Sequence, residues 1–202
     1  LAVVLLAAPA LAAAPAAAQL PLGAQLLSPV AVFGGPADPA DPGLLIPVEG
    51  VEPDELRDTF HADRSGGREH AAIDIHAPRG TPVVAAADGT ILRLHSGARG
   101  GIAVYQLGAD GRTRYYYAHL DRYAEGLELG DRVRRGEVIG YVGDTGNAAP
   151  GDFHLHFSVV VLEDARRWWE GAALNPYPLL RASARRAFGI APRSPAARSG
   201  LP

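Results

Sequence analysis

From Leu44 onward, short apolar runs are cut by Gly, Pro, Asn or Asp turn signals roughly every eight to twelve residues, and that rhythm points to an all-β domain. The runs with strand character are 81–86, 90–95, 102–107, 112–119, 137–142 and 154–161. The pair 102–107 and 112–119 is separated by Gly108-Ala109-Asp110-Gly111, a hairpin loop. The pattern therefore predicts a mainly β fold with one short helix near the C-terminus. That helix is expected over 163–170, ended by Gly171, with Trp168 and Trp169 packed against the sheet. Beyond Asn175-Pro176 the chain soon turns into an Arg/Ala/Pro/Ser-rich tail, read as frayed over 181–202.

At 202 residues the chain is long enough for one domain with extensions and a real core. Glycine (24) and proline (17) make up about a fifth of it, below the level that marks a disordered chain. Residues 1–18 carry no charge and run LAVVLLAA into an Ala-rich stretch broken by Pro9 and Pro15. They are too short and too interrupted to span a bilayer. They fit the apolar part of a signal peptide, clipped at its start, with Ala16-Ala17-Ala18 as the cleavage site. The absence of methionine agrees with a missing start. Export follows as the expectation, periplasmic or extracellular, with no membrane attachment after cleavage. Residues 19–43, rich in Pro, Gly and Ala, read as a linker. The expected domain then covers 44–180.

Composition removes whole classes of chemistry. There is no cysteine, hence no disulfide framework, thiol nucleophile or thiolate metal site. All 19 basic residues are arginine, so Schiff-base and P-loop lysines are also absent. The stretch 126–143 has the glycine-punctuated strands of lipoyl and biotinyl carriers, but without a lysine to bear the cofactor the likeness is architectural only. A net charge of −3 argues against nucleic acid as a partner. The expected protein is a monomer.

Seven histidines remain, and two patterns stand out: His70-x-x-x-Asp74, and His154-Leu155-His156. On a strand, residues two or four apart share a face, so His154 and His156 lie opposite Leu155, Phe157 and Val159. On a helix the same pair would diverge. His119 closes the run Tyr115-Tyr116-Tyr117-Ala118 and is placed at a strand terminus beside a loop. Two neutral imidazoles and one carboxylate, with water in the fourth position, suit an open tetrahedral zinc site. The HExxH helix motif is absent, so further histidines would have to act as base. His61 and His95 read as ordinary surface residues. His76 shares a face with Asp74 and reads as either a ligand or a neighbour of one.

Taken in order, REHAAIDIHAPRGTPVVAAADGTI, YYYAHL, GDTGNAAPGDFHLHFSV and ALNPYPLL resemble the LytM/lysostaphin-type zinc endopeptidases of bacterial cell walls, over roughly 60–180. The resemblance implies a compact antiparallel β-sheet of barrel-like form with a zinc in a narrow groove, one per chain, held by His70, Asp74 and His156. It implies that His119 and His154 divide base and oxyanion-stabilising work, and that the substrate is a stem or crosslink peptide of peptidoglycan. The bond cut is left open, with specificity expected in loops 62–69, 123–129 and 147–152. One departure from the family pattern is Ala72, where glycine is usual; a backbone angle open only to glycine would be disfavoured there. The rival reading is a catalytically inactive relative that regulates other wall hydrolases. A third is a wall-binding or structural β domain in which the histidines are coincidental.

Overall fold

The computed structural model describes residues 43–64 and 67–187. The expected signal peptide, nearly all of the linker and the end of the tail lie outside the described residues. Eleven strands are seen: β1 (Asp63–Arg64), β2 (Arg68–Glu69), β3 (Ile73–His76), β4 (Pro82–Val84), β5 (Gly89–Gly97), β6 (Gly101–Gly108), β7 (Thr113–Tyr123), β8 (Arg132–Val133), β9 (Val138–Val142), β10 (His154–Val161) and β11 (Ala172–Leu174). β1 and β2 form a ribbon of their own. The others make one nine-stranded sheet with the path β11-β10-β7-β6-β5-β8, in which every pairing is antiparallel. β3 adds to the first half of β10, and β9 joins β4 to the end of β7.

The mainly β, antiparallel expectation holds. All six expected strands are present, with ends shifted by a few residues. Alternation explains the faces. Leu155, Phe157 and Val159 on β10 are buried with Tyr115 and Tyr117 of β7 and with Ile73 and Ile75 of β3. Tyr117 has no solvent exposure, yet its hydroxyl is satisfied: it donates to Gln106 Oε1 (2.7 Å) and accepts from the Ala86 amide (2.9 Å).

The helix lies elsewhere than expected. Over 163–170 only a single 3₁₀ turn forms, Ala165–Arg167, capped by the Asp164 side chain. The reason is topological: β11 returns antiparallel onto β10, pairing Val159 with Leu174, and the ten residues between Val161 and Ala172 must reverse the chain. Trp168 packs edge-on to Tyr105 at 5.2 Å between centroids, as expected of it, but Trp169 is 58% exposed. The α-helix α1 spans Pro176–Ala187 and runs through the start of the expected tail. Asn175 caps it by accepting the Tyr177 amide (3.0 Å), proline occupies the first helical position, and Leu180 anchors it in the core. Among the described residues no helix is long and apolar enough to cross a membrane.

Candidate metal centre

Asp74 sits on β3 and His156 on β10, and the antiparallel register places them directly opposite each other. His70 precedes β3. Between His70 and the strand, Ala71 takes a left-handed backbone (φ 53°), a conformation that costs a non-glycine residue about 1 kcal/mol. Ala72, the position flagged by comparison with the family pattern, has no positive φ and is fully buried. The strained angle is one residue earlier.

The three side chains converge. His70 Nε2 lies 2.9 Å from His156 Nδ1 and 3.0 Å from Asp74 Oδ1, and His156 Nδ1 lies 3.1 Å from that same oxygen. Ligand atoms around a tetrahedral zinc stand about 3.3 Å apart, given bonds of about 2.0–2.2 Å. The donor set fits that ion in spacing and in chemistry. His70 Nδ1–H donates to the Thr59 carbonyl oxygen (2.9 Å), leaving Nε2 as a lone pair. Thr59 also accepts the Asp74 amide on Oγ1 (3.1 Å), so one residue outside the cluster positions two of its members. Burial would raise the Asp74 pKa, but with no metal between them the His156 and His70 rings, in their protonated forms, outweigh it and hold the carboxyl well below the usual range. Burial pushes His156 down, toward the neutral ring that a metal needs. The cluster already attracts a cation: Arg64 Nη2 lies 2.6 Å from Asp74 Oδ2 and 2.5 Å from His70 Nε2.

Two more imidazoles face this group. His154 shares the strand face of His156, and its Nε2 is 3.9 Å from Asp74 Oδ1. His119 is 5.0 Å from His154 and 5.6 Å from His156, ring to ring. Each donates Nδ1–H to a backbone carbonyl, His154 to Asp152 (2.8 Å) and His119 to Thr145 (2.7 Å), so each keeps a basic Nε2. Burial lowers the His119 pKa, outweighing the Thr145 hydrogen bond, and so favours the neutral ring.

His119 corrects the strand-terminus expectation, because it lies inside β7, four residues before the strand ends at Tyr123. Simple alternation from Tyr115 and Tyr117 would point it into the core. A β-bulge prevents this. Ala118 and His119 together oppose Ala103 between the register pairs Val104–Tyr117 and Ile102–Leu120, and His119 adopts φ 60°. The extra residue turns His119 to the His156 side and returns Leu120 to the core. The Thr145 carbonyl reaches His119 because Gly101 and Gly146 abut; a Cβ on either would collide with the other's segment.

The remaining histidines stand apart. His61 is exposed near Glu69 (3.5 Å), and His95 lies on β5 away from the cluster. His76 is exposed, pairs in register with His154 and hydrogen-bonds Asp152 Oδ1 (3.2 Å). His76, Asp152 and His154 bring donor atoms within 4.8 Å of one another. That second group is looser, and His154 Nδ1 carries the proton it gives to the Asp152 carbonyl. Thr59, Thr145 and Arg64 were not found from the sequence, because their roles depend on contacts across loops that no motif spacing encodes.

Comparison with known proteins agrees with the fold. A model of peptidase family M23 matches residues 68–176. The L-Ala--D-Glu endopeptidase of Bacillus subtilis is 34% identical over 124 residues, covering 58% of this chain and 36% of that protein. A DD-carboxypeptidase/endopeptidase Mpg of Neisseria meningitidis is 46% identical over 94 residues, 45% of this chain and 20% of that protein. The catalytic domain of lysostaphin from Staphylococcus simulans superposes with TM-score 0.51 at 30% identity, covering 62% of this chain and 89% of that domain. The match thus spans about a third or less of the length of these two curated relatives.

Proposed function

This chain belongs to peptidase family M23, and from that premise we propose that it is a zinc-dependent endopeptidase cutting peptide bonds in bacterial peptidoglycan. The observation that carries the reading is the convergence of His70 Nε2, Asp74 Oδ1 and His156 Nδ1 within 3.1 Å of one another, faced by two imidazoles with free Nε2 atoms. His70, Asp74 and His156 would hold the metal. Zinc there supplies Lewis acidity, lowering the pKa of a water toward about 7 and polarising a carbonyl.

The chain's own groups supply the rest. His119 and His154 flank the cluster from β7 and β10. A neutral imidazole with a bare Nε2 accepts the proton of the attacking water, and its protonated form returns it to the leaving amine. The second imidazole, its Nδ1–H already given to a backbone carbonyl, donates toward the oxyanion from Nε2 once that nitrogen has taken up a proton as imidazolium. Locking of both Nδ1–H groups on carbonyl oxygens fixes tautomer and ring angle before substrate arrives. Relatives named L-Ala--D-Glu endopeptidase and glycyl-glycine endopeptidase support the reading that a peptide bond is cut. Every ligand position is filled, which argues against an inactive regulator. Incubation of the zinc-loaded chain with purified sacculi, followed by mass spectrometry of released fragments, tests the proposal. New peptide termini are expected, and intact sacculi under conditions where the metal is bound would refute it.

A further inference from the structure

Beside the histidines a cavity of about 610 Å³ opens between the β1–β2 ribbon and the β5–β6 turn. Its walls carry three guanidinium groups: Arg64 and Arg68 on the ribbon, Arg99 on the turn. Arg64 and Arg68 are directly opposite each other in register, so alternation puts both on the face from which Arg64 reaches Asp74. Asp63 and Glu69, the adjacent register pair, also border the cavity, and the Glu69 carboxylate lies 3.5 Å from His61. On the facing wall the Arg99 carbonyl is tied to the Asn147 amide (3.0 Å), while its guanidinium makes no hydrogen bond or ion pair with a described residue.

Resting on the peptidase reading above, we propose that Arg64, Arg68 and Arg99 form a carboxylate-binding subsite next to the reacting centre. The substrate segment it selects is a peptide bearing a free carboxylate close to the scissile bond, as acidic stem peptides do, and not an uncharged oligoglycine bridge. The guanidinium fork matches a carboxylate bidentately and gives charge-assisted hydrogen bonds. Arg64 already makes such a contact with Asp74. Arg64 stands opposite Arg68 in register, and with a divalent cation on Asp74 its guanidinium would be available beside Arg68. Both arginines belong to the loop 62–69 in which the sequence placed specificity.

The test uses the zinc-loaded native chain with one stem-type peptide in two forms, free acid and carboxamide. Cleavage is read as kcat and KM, and binding of both forms by calorimetry. The acid is expected to be favoured by about tenfold or more, mainly in KM and Kd, with the preference shrinking at high salt. Arg68→Gln and Arg99→Gln should each cut the ratio severalfold, and Arg99→Glu should bring it to one or below. Equal handling of acid and amide, a preference for the amide, or a preference untouched by all three substitutions would overturn the subsite. Tighter binding of the acid without cleavage of either peptide would support the subsite while refuting the peptidase reading, so the two fail separately.

Discussion

His119 Nδ1 and the carbonyl oxygen of Thr145 are joined by a 2.7 Å hydrogen bond across the bulge in β7, and this contact aims at the His156 side a residue that strand alternation would have turned into the apolar core. Thr145 is itself held at both ends of its hydroxyl, which accepts the Ile102 amide (2.9 Å) and donates to the Leu120 carbonyl (2.7 Å).

Thr145→Val keeps the shape and removes that hydroxyl. It leaves a partly buried donor and acceptor without a partner, so unfolding free energy should fall by about 1–3 kcal/mol. Turnover should fall as His119 loses its fixed angle, with zinc content unchanged. Denaturant titration and metal analysis on one sample check both halves. A loss of zinc with turnover retained would contradict this role.

The strained backbone before β3 predicts opposite results at adjacent positions. Ala71→Gly relieves φ 53° at the cost of a freer unfolded chain, so stability should hold or rise by up to about 1 kcal/mol. Ala72→Gly removes a fully buried methyl and gains no relief, and should cost about 1 kcal/mol or more. Paired melting curves decide it, and the order should not reverse.

Asp121 bonds Arg79 (2.8 and 2.5 Å) and Arg122 (2.8 Å), and the Arg79 hydrogen bond leads in holding its carboxyl below the usual range. A depressed carboxyl stabilises the fold above its unfolded pKa and loses that contribution as pH falls through its folded one. Native protein should therefore exceed Asp121→Asn in stability at neutral pH, with the gap closing in acid. Melting temperatures of the pair across an acid-to-neutral series measure the gap. A gap that widened on acidification would run against the sign.

Much of this was legible in the sequence because periodicity survives in the long strands. The His154/His156 spacing could share a face only on a strand, and β10 is one. The rest depended on events that break the period. The bulge at Ala118–His119 inverts one side chain and is invisible to alternation. The two prolines at 176 and 178 hid α1, although the first is the ordinary helix start, and Trp168-Trp169 suggested helix packing where a reversal to β11 was required. β3 escaped notice as a strand because Ile73–His76 is only four residues long; it earns its place through the β10 register.

The central claim is that His70, Asp74 and His156 hold one zinc that His119 and His154 serve without holding. Measuring zinc per chain by elemental analysis for the native protein and for Asp74→Ala, His156→Ala, His119→Ala and His154→Ala tests it directly. One zinc is expected in the native chain and in the last two variants, whose turnover should drop by about two orders of magnitude or more. Almost none is expected in the first two. Full zinc in Asp74→Ala and His156→Ala, or full activity in metal-free protein, would contradict it.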